Sequence, residues 1–174
     1  RNLRLAPLYQ FLDAATGGHV MTAAKEFDAA TDDMVAKTGH VAADVLDSNV
    51  RGATHYFQGA VAYCSRKRIT GSVPLYAFRA STGQYAYSTA KDEFAQWGSV
   101  PSVACYVFDH HTAATVALHR WVSRNGSGDH VYATDKGELS DNDWKYQGIQ
   151  AYVYPAAVET RQPDDTSHPV TIQI

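Results

Sequence analysis

The residues best equipped for chemistry cluster at one turn, where Asp129 and His130 are followed closely by Tyr132 and preceded by Trp121. A carboxylate and an imidazole supply hydrogen-bond acceptors and donors, and aromatic faces pack against C–H surfaces. That mixture suits a sugar, whose apolar ring face stacks on an aromatic while its hydroxyls bond to polar groups. An earlier turn carries His19 in the place of His130. The same residues have a second reading: His19 and His130 bond backbone carbonyls in their hairpins, and the Trp and Tyr positions pack in the core.

Other chemistries fit less well. His110-His111 has no spaced partner set, and His19, His55 and His130 are scattered, so neither a metal nor another cofactor is expected. There is no Gly-x-Ser-x-Gly elbow, no Gly-rich phosphate loop and no Cys in a nucleophile context. The carboxylate pairs Asp32-Asp33, Asp92-Glu93 and Asp164-Asp165 are sequence neighbours, and a glycosidase pair would have to be assembled from different parts of the chain.

The elements that position these groups are set by an internal repeat. Leu8-Tyr9-Gln10-Phe11, Leu75-Tyr76-Ala77-Phe78 and Leu118-His119-Arg120-Trp121 each precede a Gly-containing turn: Thr16-Gly17-Gly18, Thr82-Gly83-Gln84 and Ser127-Gly128-Asp129. After the turns come His19-Val20-Met21, Tyr85-Ala86-Tyr87 and His130-Val131-Tyr132, then a Thr four places before Glu26-Phe27, Glu93-Phe94 and Glu138-Leu139. The copies close with Phe57-Gln58-Gly59, the degenerate Ser102 to Tyr106, and Tyr146-Gln147-Gly148. Matched blocks in one order mark units that cannot bury their apolar faces alone.

Each unit reads as a hairpin, a short helix capped by the Thr, and a final strand, although the Glu falls one place late for a capping box. The expected fold is mainly β with short helices (α+β): one domain, 1–174, of three β-β-α-β repeats at about 6–65, 73–109 and 116–155. Pseudo-threefold symmetry then predicts a closed barrel or a trefoil- or propeller-like form. The first repeat carries an insertion over 28–52 whose weak apolar periodicity predicts a helix. In the extension 156–174, Val170 to Ile174 alternates like a strand and is expected to pair with Leu3 to Leu5.

Composition agrees with one globular domain: 45% hydrophobic, 19% charged and 11 tyrosines favour strands and contact surfaces over a helical bundle. The net charge of −3 gives no field to attract nucleic acid, and the one basic cluster, Arg66-Lys67-Arg68, reads as a solvated loop. No apolar run is long enough for a membrane helix, so no membrane insertion is expected. The absence of an initial Met suggests processing.

The units resemble a secreted bacterial and fungal repeat family of unassigned function, with blocks reading approximately PLYRFYN, TGDHFYTT and YEGIAGYVYP. The closest matches are Gly128 to Thr134 and Tyr146 to Pro155, and the resemblance runs over roughly residues 6 to 155. It implies extracellular proteins, often beside cell-wall hydrolase domains, and a glycan- or surface-binding role. Gly18, Gln84 and Tyr85 depart from the pattern, which leaves the third repeat with the most intact site. Asp129, His130, Tyr132, Trp121 and His19 are therefore the expected ligand-binding residues of a secreted, non-catalytic, lectin-like module whose partner is a glycan or cell-wall polysaccharide. The alternatives are a protein-binding or inhibitory scaffold built on 28–52 and a glycan-cleaving enzyme.

Cys64 and Cys105 both fall in closing strands, offset by two aligned positions, so a bridge and two buried thiols are both open; secretion favours the bridge. Such a bridge would enclose about 41 residues and contribute roughly 4 kcal/mol on the chain-entropy model. Asn125-Gly126-Ser127 matches the N-glycosylation acceptor and also reads as plain turn chemistry.

Overall fold

The computed structural model describes residues 5–23, 40–42, 54–156 and 160–173. Eleven strands lie among the described residues. The first unit holds β1 (Ala6–Asp13), β2 (His19–Thr22), β3 (His40–Ala42) and β4 (Thr54–Cys64). The second holds β5 (Val73–Arg79), β6 (Tyr85–Ser88) and β7 (Ser102–Val107), and the third β8 (Val116–Ser123), β9 (His130–Ala133) and β10 (Trp144–Pro155). Strand β11 (Pro169–Gln173) follows.

Every unit places its first strand between its hairpin partner and its closing strand, giving β2-β1-β4, β6-β5-β7 and β9-β8-β10. The first and third units fuse through β4 and β10, where Tyr154 pairs with Tyr63, into an eight-stranded sheet. The second unit keeps a three-stranded sheet of its own, linked to the others by the bridges Ser65 to Tyr106 and Phe108 to Tyr152.

This corrects the α+β expectation. Strand makes up 51% and helix 2%, no α-helix occurs among the described residues, and the sheets are open, so neither a closed barrel nor a trefoil- or propeller-like form is built from β-β-α-β units. The reason is local. In the second unit the segment after β6 forms only i-to-i+3 turns and one 3-10 turn at Ala95–Trp97. Ser88 Oγ accepts from the Ala90 amide and donates to Glu93, so the segment expected to start a helix is held as a turn by the residue before the expected Thr cap. In the third unit Asp135 Oδ1 accepts from the Gly137 amide, and Gly137 stands inside the segment. Segments this short do not repay helix nucleation.

Strand β11 runs antiparallel to β4 and parallel to β3. The pairing expected with Leu3 to Leu5 lies outside the described residues except at Leu5. The helix expected over 28–52 lies outside the described residues except at 40–42, which form β3.

Leu8, Leu75 and Leu118 are fully buried in one cluster with Met21, Tyr87, Tyr132 and Val153. At the register shift between Tyr146 and Gly148, Gly148 takes φ 94°, a conformation only glycine adopts cheaply. The bulge leaves Gln147 unpaired in the ladder and frees its side chain for Arg120. Gln58 does the same for Gln10 in the first unit.

Cys64 and Cys105 are joined as a disulfide with Cα atoms 6.3 Å apart. Cys105 opposes Leu75 and Cys64 opposes Ala6, so the two do sit at positions offset by two. An offset of two keeps both side chains on the same face of their strands, which is what lets neighbouring units be tied.

Candidate functional site

The turn that the sequence marks for chemistry is packed inside. Trp121 and Tyr132 are each 2% exposed. Tyr132 Oη donates to the Tyr87 carbonyl and accepts from the Tyr87 amide at 2.7 and 2.6 Å, and burial pushes its hydroxyl up to about 12. His130 is 6% exposed, its Nδ1 lies 2.7 Å from the Gly128 carbonyl, and its ring meets Phe94 and Trp97 edge-on. Burial first, and the Arg120 guanidinium second, hold its imidazole down to about 4. Trp121, Tyr132 and His130 are thus placed as core and hairpin groups, and no stacking face is offered at that turn.

Asp129 serves another purpose. Its carboxylate accepts from the His19 amide at 2.9 Å and faces His19 Nδ1 at 2.9 and 3.0 Å. The opposite ring nitrogen, Nε2, lies 2.8 Å from the Pro163 carbonyl, which only accepts, so Nε2 carries a proton. One imidazole therefore ties the first hairpin, the third turn and the C-terminal segment together. Gln58 adds to this tie by donating to the carbonyls of Pro163 and Asp165.

The second turn meets the first at the same place. Gln84 Nε2 donates to the Thr16 carbonyl, and a Cβ on Gly18 would stand 2.0 Å from Gln84 Oε1. The Gln84 amide thus occupies the space a side chain at position 18 would take, and a larger residue there would require that amide to move.

Above His19 and Asp129 opens a cleft of about 730 Å³ between the first unit, the third unit and the C-terminal segment. Its walls include Leu12, Arg124, Asn142, Asp143, Trp144 and Asp164. Trp144 begins β10 opposite Ser123 and is half-buried, its ring edge-on to His19 at 6.3 Å between centroids. Asn142, Asp143 and Asp164 are exposed, and so is Asn125 on the rim, whose Oδ1 accepts from the Ser127 amide. Arg124 is partly committed, since its Nε donates to the Asp141 carbonyl at 2.7 Å. A half-exposed indole beside amides and carboxylates has the chemistry sought at the Asp129 turn, on a surface a ligand can reach.

Of the expected ligand residues, the structure brings His19 and Asp129 to the floor of this cleft and leaves Trp121, Tyr132 and His130 away from its lining. Trp144, Asp143 and Asp164 were missed. Asp141-Asn142-Asp143-Trp144, a polar turn running into an aromatic at a strand start, was the available signal for the first two. Asp164 had none, because its place beside Trp144 depends on how the C-terminal segment returns.

The other polar cluster joins the second and third units. Arg120 bonds Glu93, the Gln147 amide oxygen at 2.7 Å and the Tyr87 carbonyl, with its guanidinium over the Phe94 ring. Burial alone would raise the Glu93 carboxyl, but the bonds from Arg120 and Ser88 outweigh it and hold it below its ordinary value. This is an interlocking pair with no cleft residue in it. Among the described residues, no group of three or more His, Cys, Asp or Glu is arranged to hold a metal.

Residues 95–163, less than half of the chain, match a family model described as Domain of unknown function (DUF5648). The match contains the whole third unit and most of the cleft wall. No curated protein and no solved structure matches the chain.

Proposed function

We propose that the chain is a lectin-like binding module that takes a glycan in the cleft walled by Trp144, acting outside the cell at a cell or cell-wall surface. The observation that carries this reading is Trp144 itself, a half-buried indole on the wall of an open cleft among exposed Asn142, Asp143 and Asp164. A pyranose stacks its C–H face on such a ring and bonds its hydroxyls to the flanking amides and carboxylates. The Asp129–His19 pair supports the floor from below rather than meeting the sugar with a free carboxylate. Extracellular action rests on the family resemblance and on the disulfide, which persists in oxidising compartments.

A glycan array with wild type and Trp144→Ala tests the reading. Millimolar sites give about −4 kcal/mol, so losing the stacking face removes detectable binding. Unchanged array signals from a folded Trp144→Ala protein would move the site elsewhere. A second reading, glycan cleavage, is favoured by one observation: Asp143 and Asp164 line the same cleft. Release of reducing ends from a bound oligosaccharide, lost in Asp143→Asn, separates cleavage from binding. The scaffold reading depends on residues 28–52, most of which lie outside the described residues.

A further inference from the structure

Resting on that binding reading, we infer that the cleft selects a short run of uncharged sugars and rejects acidic ones. Among the described residues, the exposed charged groups lining it are Arg124, Asp143 and Asp164, while the buried Asp129 carboxylate is spent on His19 at 2.9 Å. Two exposed carboxylates therefore face a ligand against one guanidinium. A uronate or sulfated sugar is best held by cationic donors in a fork, and among the described residues the only guanidinium of the lining has its Nε turned to the Asp141 carbonyl. An acidic ligand would bring a third negative charge beside Asp143 and Asp164, and like charges in one site are disfavoured.

The same groups suit hydroxyls. A carboxylate accepts from two neighbouring hydroxyls at once, the Asn142 amide both donates and accepts, and Trp144 takes the C–H face. The volume of about 730 Å³ falls in the range of small-ligand sites and leaves room for a di- or trisaccharide.

Titration of the intact chain with chitotriose, cellotriose and trigalacturonate, followed by calorimetry or NMR, tests this. At least one uncharged trisaccharide binds, at least tenfold more tightly than trigalacturonate, and its affinity is the same at low salt and at 0.5 M salt because no ion pair is made (roughly, by screening). Asp143→Asn with Asp164→Asn, both at exposed positions, weakens the uncharged ligand by about tenfold and narrows the gap to trigalacturonate. Trigalacturonate binding as tightly as the uncharged sugars, with affinity falling as salt rises, would overturn the selectivity and leave the binding reading intact. Binding of none of the three, by a protein that remains folded, would overturn both.

Discussion

The junction between the second and third units differs from that between the third and first, although the same repeat builds both. At the former, Tyr132 reaches across to the Tyr87 backbone and Arg120 to Glu93. At the latter, Met21 stands at the repeat position of the tyrosine and Gln10 at that of the arginine, so neither bond is available. Among the described residues, Gln10 Nε2 donates to Gln58 at 2.8 Å and its carbonyl oxygen is buried without a partner. The tie there is Asp129 to His19, supplemented by the pairing of β4 with β10. The cleft opens at this junction, between units one and three. Where the second and third units meet, polar side chains are spent on each other, whereas at the seam between the third and first several face solvent.

The contrast is broken most forcefully at Arg120. Arg120→Met removes the charged donor from Glu93, Gln147 and the Tyr87 carbonyl; the Glu93 carboxylate left behind reaches water, so the loss is set by the hydrogen bonds to the charged group, at about 1.5–3 kcal/mol each. Urea denaturation measures it; a loss below about 1 kcal/mol would mean that this junction is no more interlocked than the other.

Acid should attack the same seam. His130 is held to about 4, below its ordinary value of 6.5, so the unfolded chain binds a proton that the fold refuses between those values. The associated stability is whole above pH 6.5 and lost as pH falls toward 4, by about 3 kcal/mol. His119 is also held down by burial and adds in the same direction. Glu93, held below its ordinary value, contributes a further loss only at lower pH, as it is protonated. Denaturation midpoints at pH 7, 5 and 4 read this, and His130→Asn should flatten the profile between pH 6.5 and 4. A profile equally steep in that variant would assign the acid sensitivity to other groups.

The smallest effect sharpens the comparison at paired positions. Tyr132→Phe leaves the buried Tyr87 amide without its partner and the Tyr87 carbonyl with Arg120 alone, at about 1–3 kcal/mol. Met21→Leu, at the same repeat position, keeps volume and loses no hydrogen bond, and such swaps cost less than about 1.5 kcal/mol. Equal losses from the two substitutions would show that the hydroxyl contributes nothing beyond packing.

Much of the strand plan was legible because it is local. The hairpins after Leu8, Leu75 and Leu118 follow from Gly-containing turns between apolar runs, and the structure pairs them as such. The helices were misread because a Thr followed by Glu-Phe looks like a cap, whereas in the second unit Glu93 is pulled toward Arg120, which lies 27 positions away in the chain. The burial of Trp121, Tyr132 and His130 was not legible for a related reason. An Asp-His pair near Trp and Tyr has the same composition whether it faces water or the core, and burial is not a property of the short motif.

The sequence by itself determined the repeat and its hairpins, since turn chemistry and apolar alternation act over a few residues. It also placed Leu8, Leu75 and Leu118 at equivalent core positions, because each precedes its turn by a similar interval. Only the tertiary structure decided that the first and third units would merge into one open sheet while the second stood apart, that Gln84 would pack against Gly18, and that Asp164 and Trp144 would line one cleft. Those outcomes depend on which surfaces meet, and that is settled by the packing of all three units at once rather than by any residue's neighbours in the chain.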